Sequence, residues 1–309
     1  MRARFFCLVL LAVISAACPQ NVFAASKHHQ KSSGGSLGIG YSALVVDAQT
    51  GQILYEKNAD ALRYPASLTK MMTLYLTFEA LKNGDLDIGQ SIPVSAKAAG
   101  QPQTNISLDQ GDRLPVRTAI ESVVVRSAND SAMALGEALG RTEFNFALMM
   151  TQKARELGMK NTVFRNPNGL PDNKQHTTAL DMAKLAIALR RDFPEYYHYF
   201  KLTSFEYNGV TYPGHNHVME RYPGVDGVKT GFIRASGFNL VTSIRKDGHS
   251  IVAVILGGSS IASRDNQMIA LLDKTFEQLE AKNKGAALGR LISDDRSSQA
   301  GETLQARAN

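Results

Sequence analysis

The order of secondary structure along the chain is the sequence feature that most constrains its fold. Alternating apolar residues predict two strands, at 41–46 and 53–55, separated by a turn. Two further strands, at 238–244 and 250–256, flank Asp247-Gly248, a dipeptide typical of a tight hairpin. The residues between these strand pairs have mostly helical patterns. This order predicts an α+β domain with one antiparallel sheet flanked by helices, in which a helical subdomain separates the first and last strands.

Six helices are predicted from apolar residues at helical spacing and from the residues that begin or end each segment. They span 67–82, 115–125, 131–139, 142–158, 178–190 and 262–279. Gly84 follows the first helix, and Pro115 is suited to open the second. Asp130 is the expected cap of the third helix, whereas Thr178 and Asp181 have the spacing of a capping box.

The first 24 residues have the pattern of a secretory signal peptide. Arg2 and Arg4 precede an apolar run at 5–17, and the segment closes on Val22-Phe-Ala24. The run is shorter than the roughly 20 residues that a membrane-spanning helix needs. We therefore expect cleavage after Ala24, secretion across the cytoplasmic membrane, and a periplasmic or cell-wall-associated mature protein.

The rest of the sequence divides into three parts. Residues 25–36 are polar and rich in Ser and Gly, which predicts a flexible leader. Residues 37–284 contain all the predicted strands and helices and therefore form one folded domain. Residues 285–309 lose the apolar periodicity, so we expect a disordered tail there and no firm membrane anchor.

Composition excludes several classes of function. Both cysteines, Cys7 and Cys18, lie in the predicted signal peptide, so a mature chain would have no disulfide and no thiol nucleophile. The net charge of +6 comes from scattered basic residues, and no basic helix is interleaved with aromatic residues, so no nucleic-acid face is expected. His215 and His217 have the spacing of a metal pair but lack a nearby acidic or thiol partner, which favours polar loop residues over zinc ligands.

The string Ser67-Leu-Thr-Lys70 is the first candidate for catalysis. Residues three apart on a helix share a face, so the lysine amine can reach the serine hydroxyl. A serine hydroxyl is a weak nucleophile until a base removes its proton, and burial or a second cation would lower the lysine pKa enough for that role. Because Ser67 is placed at a helix start, its backbone N–H is free to hold a developing oxyanion. Taken alone, such a string also fits a capping serine beside an exposed lysine.

Two further strings follow in the sequence. Ser127-Ala-Asn129 lies between two predicted helices, where its hydroxyl could pass a proton to a leaving amine and its amide could hold a peptide carbonyl. Lys229-Thr-Gly231 lies on a predicted strand, where a cation and a hydroxyl could receive a carboxylate. Gly231 would let a substrate backbone come close.

The three strings occur in the order that is typical of penicillin-binding proteins and class A β-lactamases. The sequence resembles the D-alanyl-D-alanine carboxypeptidase family, the low-molecular-mass penicillin-binding proteins. The resemblance runs from about residue 40 to 276 and includes the three strings, Asn166-Pro-Asn-Gly-Leu170, Gly237-Phe-Asn-Leu240 and Gly257-Gly258. It implies a β-lactamase/transpeptidase-like fold for residues 37–284, which would be the penicillin-binding catalytic domain.

The resemblance implies a serine-type D-Ala-D-Ala carboxypeptidase that trims peptidoglycan stem peptides. Ser67 would attack the D-Ala-D-Ala carbonyl after Lys70 takes its proton, and the N–H groups of Ser67 and Phe232 would hold the oxyanion. Water would then release the acyl-enzyme. β-Lactams would acylate Ser67 and remain bound, and no metal or organic cofactor would be needed.

The same resemblance implies roles for the other two strings. Ser127 would relay a proton to the departing amine with Lys229 nearby, and Asn129 would position the acyl side chain. Thr230 and Lys229 would grip the terminal carboxylate, and Gly231 would lie beside the substrate backbone.

Three alternatives remain open at the level of sequence. Family carboxypeptidases commonly continue into a β-rich domain and an anchor helix, and the short polar tail expected here favours a murein DD-endopeptidase as the first alternative. A β-lactamase would need a Glu and a downstream Asn on a loop, and no Glu-x-x-Leu-Asn string occurs. A non-catalytic peptidoglycan-binding protein would not be expected to fill every catalytic position.

Overall fold

The computed structural model describes the backbone of residues 40–306 and the side chains of residues 40–284. The predicted signal peptide, 1–24, and the predicted leader, 25–36, lie outside the described residues. The strands are β1 Ser42–Asp47, β2 Ile53–Lys57, β3 Ser91–Pro93, β4 Arg113–Pro115, β5 Ser204–Tyr207, β6 Val210–Pro213, β7 Val225–Ile233, β8 Gly237–Lys246 and β9 His249–Gly258. The helices are α1 Lys70–Asn83, α2 Ala96–Ala99, α3 Val116–Val125, α4 Asn129–Gly140, α5 Glu143–Glu156, α6 Ala179–Asp192, α7 Val218–Arg221 and α8 Ile261–Ala306.

Five strands form an antiparallel sheet in the order β2-β1-β9-β8-β7. β1 pairs with β9, with Val45 opposite Ala253, so the first and last strands meet across the helical insertion as predicted. β8 and β9 form the predicted hairpin around Asp247 and Gly248, both with positive φ. In this sheet β7, which contains Lys229-Thr-Gly231, is an edge strand.

The sheet buries apolar side chains on both faces. On one face Leu44, Val46 and Val254 belong to a core shared with the helical insertion. On the other face Val45 and Ile255 belong to a second core shared with α7 and α8. Residues alternate between the faces along each strand, so β1 and β9 are buried on both sides. The sheet is therefore the middle layer of three, and this confirms the α+β fold class.

The ends of several helices test the capping predictions. α1 ends at Gly84, whose φ of 80° gives the left-handed cap expected of glycine. The side chain of Thr178 accepts a hydrogen bond from the Asp181 N–H, as predicted for α6. Asp130 does not cap α4, because the helix already begins at Asn129. Its carboxylate instead accepts the N–H groups of Ile106 and Leu108.

The closing helix is longer than predicted. It was expected to end at residue 279 and to be followed by a disordered tail at 285–309, but α8 remains helical to Ala306. The loss of apolar periodicity shows only that no continuous apolar face is present, and the Ala, Leu, Arg and Gln residues here favour a helix without such a face. The described backbone of α8 therefore extends beyond the predicted end at residue 279. Between residues 40 and 306 no helix combines the length and the apolar character needed to cross a membrane.

Candidate active site

Ser67 lies in a short 3₁₀ turn, Ala66–Thr69, directly before α1. The sequence predicted an α-helix from residue 67, so the serine precedes the α-helix by one turn. Ala66 has a φ of +50°, a left-handed conformation that costs about 1–2 kcal/mol for a residue with a Cβ. Hydrogen bonds from Leu68 N and Asn239 Nδ2 to the Pro65 carbonyl hold this turn, each at 3.2 Å.

Two glycines allow the backbone to pack tightly around Ser67. A Cβ on Gly231 of β7 would lie 3.1 Å from the Ser67 nitrogen. A Cβ on Gly169 would lie only 1.9 Å from the Ala66 carbonyl oxygen, and Gly169 also has a φ of +84°. The turn is thus enclosed between β7 and the loop at 166–170, and Gly169 is the position that requires glycine.

Lys70 is completely buried beneath Ser67. Its Nζ lies 3.1 Å from Ser67 Oγ, 2.8 Å from Asn129 Oδ1 and 2.5 Å from the Asn168 carbonyl oxygen. Asn129 Nδ2 donates to the Pro102 carbonyl, and this contact turns Oδ1 towards the lysine. Two of the three neighbours of Nζ can therefore only accept hydrogen bonds. A neutral amine can donate to both of them and direct its lone pair at the Ser67 hydroxyl.

The surroundings of Lys70 favour this neutral amine. Burial lowers its pKa well below the ordinary value, and the positive charge of Lys229 lowers it further. The Asp130 carboxylate acts in the opposite direction but is the smallest of the three influences. The result is a buried amine whose pKa is shifted in the direction that suits a proton acceptor for Ser67.

Ser127 lies at the junction between α3 and α4, as predicted. It has a φ of +61°, and its buried Oγ has no hydrogen-bond partner among the described residues. Its carbonyl accepts a hydrogen bond of 2.8 Å from Thr104 Oγ1, and Asn129 N donates to the Thr104 carbonyl at 2.7 Å. These contacts fix the junction while leaving the Ser127 hydroxyl available at the cleft that it lines with Ser67.

Lys229 lies on β7, where strand alternation places its side chain on the same face as Gly231, which packs on the Ser67 turn. It is 2% exposed, and it faces a cavity of about 20 Å³ rather than the main cleft. Burial lowers its pKa to about 7, with a further contribution from the charge of Arg264. Thr230 and Gly231 do line the cleft. The Thr230 hydroxyl therefore lies at the cleft, whereas the charge of Lys229 acts on Lys70.

The cleft in front of Ser67 has a volume of about 490 Å³, which is within the usual range for a site that takes a small molecule or short peptide. It brings Ser67, Ser127, Asn129, Thr230, Gly231 and Phe232 together. None of the described residues that line it is Asp or Glu. The arrangement combines a serine–lysine pair with a cleft whose lining includes two arginines, Arg234 and Arg264.

Sequence reasoning missed Arg264 and Asn168. Arg264, on the first turn of α8, lines the cleft and donates to Asp265 Oδ1 at 2.9 and 2.7 Å. A single arginine in a helix carries no signal in the sequence. Asn168 belongs to the recognised string at 166–170, but its carbonyl contact with Lys70 spans 98 residues and could not be inferred from the string.

His215 and His217 both line the cleft. Burial lowers the pKa of His215 to about 4, and the charges of Lys229 and Arg126 add to this effect. His215 is therefore neutral at neutral pH. Among residues 40–284 no group of three or more His, Cys, Asp or Glu side chains could hold a metal ion.

Comparison with known proteins identifies the family of the chain. The model of the D-alanyl-D-alanine carboxypeptidase family S11 matches residues 39–260. D-alanyl-D-alanine carboxypeptidase DacF of Bacillus subtilis is 33% identical over 77% of this chain, and DacA of Escherichia coli is 32% identical over 78%. In both cases the match covers 62% of the relative, so the chain spans less than two thirds of the length of these proteins.

Solved structures match the fold in the same region. Penicillin-binding protein 5 of Haemophilus influenzae is 31% identical with a TM-score of 0.74, over 78% of this chain and 71% of its own. Penicillin-binding protein D2 of Listeria monocytogenes, solved with cefotaxime bound, is 27% identical with a TM-score of 0.70, over 76% of this chain and 96% of its own.

Proposed function

The chain belongs to the D-alanyl-D-alanine carboxypeptidase family, and we propose that it hydrolyses the terminal D-Ala-D-Ala bond of peptidoglycan stem peptides through an acyl-enzyme on Ser67. The contacts of Lys70 carry this proposal. Its buried Nζ lies 3.1 Å from Ser67 Oγ, and its two other neighbours accept hydrogen bonds and so orient a neutral amine towards the serine. A serine and a base in this geometry form the basis of nucleophilic catalysis.

Acylation begins when Ser67 Oγ attacks the carbonyl carbon of the penultimate D-Ala. The hydroxyl proton moves to Lys70 Nζ as the bond from Oγ to carbon forms. Negative charge then develops on the carbonyl oxygen, where the N–H groups of Ser67 and Phe232 stabilise it. The close packing of Gly231 on the Ser67 nitrogen supports this pairing of the turn with β7.

Collapse of the intermediate breaks the peptide C–N bond. The terminal D-Ala leaves as an amine after it receives the proton from Lys70 through the Ser127 hydroxyl, which has no competing partner among the described residues. Asn129 holds Lys70 and positions the acyl side chain. Water then attacks the ester, which releases the shortened peptide acid and returns the proton to Ser67.

Binding of the terminal carboxylate depends on the cationic end of the cleft. Thr230 supplies a hydroxyl at the cleft and Lys229 adds positive charge close to Lys70, whereas the charge of Arg264 is compensated by its buried ion pair with Asp265. The absence of acidic side chains among the described lining residues favours an anionic ligand. β-Lactams present the same combination of a reactive amide and a carboxylate, so we expect them to acylate Ser67 and deacylate slowly.

The site of action follows from the substrate and from the first 24 residues. Peptidoglycan lies outside the cytoplasmic membrane, and residues 1–24 have a basic start, a short apolar run and a small residue at the expected cleavage point. We propose that the mature enzyme acts in the periplasm or at the cell wall.

The proposal is tested by incubating the purified protein with a monomeric pentapeptide muropeptide, a cross-linked dimer and fluorescent penicillin. Ser67→Ala should lose both D-Ala release and labelling. Ser204→Ala, an exposed serine on β5, should retain both. Persistent labelling and D-Ala release in the Ser67→Ala variant would overturn the assignment of the nucleophile.

The same digestion separates the alternatives. Cleavage of dimers without release of D-Ala from the monomer would identify an endopeptidase instead. Rapid, repeated turnover of nitrocefin would identify a β-lactamase. Binding of muropeptides with neither labelling nor cleavage would identify a non-catalytic binding protein.

A further inference from the structure

The start of β7 is held by a polar cluster that lies outside the cleft. Arg190, in the last turn of α6, pairs with Asp226 of β7 and donates to Ser243 Oγ of β8 at 3.0 Å. Ser243 Oγ donates to Asp226 Oδ1 at 2.7 Å and lies 2.7 Å from Tyr197 Oη, at the start of a 3₁₀ turn. The Arg190 guanidinium also lies over the Tyr197 ring, 4.0 Å from its centroid. A helix, a turn and two strands thus meet in this cluster, and none of its four residues lines the cleft.

The cluster is largely shielded from water. The side chains of Arg190 and Asp226 are 12% and 13% exposed, and Ser243 and Tyr197 are buried. An ion pair shielded in this way contributes little net stability, because the cost of removing two charges from water offsets their attraction. Such a pair can instead select one arrangement of the chain, because any other arrangement leaves a buried charge without its partner.

The arrangement at stake is a β-bulge in the pairing of β7 with β8. Two residues of β7, Asp226 and Gly227, lie opposite the single residue Ser243 of β8. A bulge of this kind inserts one extra residue into one strand and re-aims the side chains around it. Gly227 has a φ of +151°, and a Cβ there would lie 3.6 Å from both Ser243 Oγ and Tyr197 Oη. The bulge therefore packs directly on the cluster.

The position of the bulge decides which side chains of β7 lie beside the catalytic residues. β7 is an edge strand, so β8 is its one neighbour in the five-stranded sheet. Lys229, whose charge acts on Lys70, lies three residues beyond Asp226, and Gly231, which packs on the Ser67 turn, lies five residues beyond it. A shift of one residue in the register of a strand moves each side chain to the opposite face. Loss of the bulge would thus turn Lys229 away from Lys70.

We propose that Arg190 and Asp226 are positioning residues whose ion pair fixes the bulge at the start of β7. The bulge in turn sets the face on which Lys229 and Gly231 lie beside the Ser67 turn. Neither member of the pair touches the substrate, and both act through the strand. This inference rests on the proposed function, because acylation of Ser67 is the step that the positioned strand supports.

The test measures the rate of acylation by a fluorescent penicillin and, in parallel, urea unfolding of the same proteins. Asp226→Asn and Arg190→Gln each leave one buried charge without its partner, so both variants should unfold at a lower urea concentration. Both should also acylate roughly ten- to hundredfold more slowly, the range expected when catalytic groups are displaced by about 1 Å. Arg190→Lys should recover part of the rate, because it keeps a cation beside Asp226.

A double variant separates positioning from stability. Arg190→Met combined with Asp226→Leu replaces the pair with apolar side chains and leaves no unpaired charge, so it should be about as stable as the wild type. It should nevertheless acylate as slowly as the single variants, because nothing then selects the bulge. Glu79→Gln is the matched control, since it breaks a partly buried pair of 2.8 Å with Lys153 that lies outside the site. The control should acylate at the wild-type rate.

The outcomes distinguish this inference from the proposed function. Wild-type acylation by a stable double variant, or by Arg190→Gln, would overturn the positioning role and leave the proposed function in place. A double variant much less stable than the wild type would also overturn it, because the pair would then act through stability. Slow acylation by Glu79→Gln would do the same, since loss of any ion pair would then suffice. If the wild-type protein formed no acyl-enzyme, the proposed function and this inference would both be overturned.

Discussion

Two buried lysines occupy the site, and they differ in what they contact. Lys70 touches Ser67, Asn129 and Asn168, whereas the Nζ of Lys229 donates to the Thr230 carbonyl at 3.2 Å. Burial lowers the pKa of both amines, and the charge of Lys229 lowers the pKa of Lys70 further. Burial disfavours the protonated form of both amines, so protonation of either lysine lowers the free energy of unfolding.

This coupling predicts how the stability depends on pH. The pKa of Lys229 is about 7 in the folded protein and 10.5 as the ordinary value. Between these values the unfolded chain binds one more proton than the folded chain, so raising the pH stabilises the fold by up to ~1.4 kcal/mol per pH unit. Below about pH 7 both states are protonated, and the full destabilisation is present.

Lys229→Met should remove this pH dependence. Relative to the variant, the wild type should gain roughly 2–3 kcal/mol in free energy of unfolding between pH 7 and pH 9.5. Urea unfolding of both proteins at the two pH values measures this gain. Lys282→Met, at an exposed position on α8, reports the effect of the same substitution on the surface. An equal difference between wild type and Lys229→Met at both pH values would show that Lys229 is charged in the folded protein.

At the scale of elements, the site depends on a short turn held between two others. The turn Ala66–Thr69 presents Ser67, β7 packs on it through Gly231, and the loop at 166–170 covers it through Gly169. Thr73 Oγ1 also donates to the Pro167 carbonyl at 2.6 Å, which joins α1 to the same loop. Because the loop contacts both the turn and α1, it fixes the position of Ser67 relative to Lys70.

Gly169→Ala should therefore impair catalysis as well as stability. Its Cβ would lie 1.9 Å from the Ala66 carbonyl oxygen, so the loop and the turn must separate. Gly158→Ala is the matched control, because Gly158 also has a positive φ, +74°, but has nothing within 4 Å of its Cβ position. The control should lose only about 1–2 kcal/mol of stability from the left-handed conformation.

The measurement is the acylation rate with a fluorescent penicillin, together with urea unfolding. Gly169→Ala should acylate at least tenfold more slowly and should lose more stability than Gly158→Ala, which should acylate at the wild-type rate. Similar effects of the two substitutions would show that the loop does not hold the turn.

At the scale of the whole molecule, the sheet separates two apolar cores. The larger core lies with the helical insertion and supports the turn of Ser67, whereas the smaller core lies between the sheet and α8. Met268, Leu272 and Phe276 of α8 are buried in the smaller core. The first turn of the same helix supplies Ile261 and Arg264 to the cleft, so the helix that closes the fold also completes the site.

Leu272→Ala should lower the free energy of unfolding by about 2–5 kcal/mol, because it removes buried methyl groups and leaves a cavity. Leu148→Ala on α5 is the matched control, since Leu148 is 52% exposed, and it should change the stability by no more than about 0.5 kcal/mol. Chemical unfolding of both variants checks this difference. Equal stabilities would show that α8 does not pack on the sheet as described.

Much of the fold was predictable from local patterns. Strand alternation, the Asp247-Gly248 turn and the glycine after α1 depend on a few neighbouring residues, and each appears where it was predicted. The 3₁₀ turn at Ser67 and the role of Asp130 were not predicted, because each depends on distant backbone: Pro65 is held by Asn239, and Asp130 binds Ile106 and Leu108. The full length of α8 was not predicted, because the prediction relied on apolar periodicity. Residues with high helix propensity can form a helix even where no apolar face is present.

The sequence by itself determined the order of strands and helices along the chain, the family and the residues of the three strings. Order and local chemistry are properties of the chain that no packing can change. Only the tertiary structure decided that Lys70 meets the Asn168 carbonyl 98 residues away, that the charge of Lys229 acts on Lys70 and that Arg264 joins the cleft. Burial and neighbouring charge set the pKa of an amine, and both arise only when distant segments pack together. The same packing brings a side chain from a distant helix to the cleft.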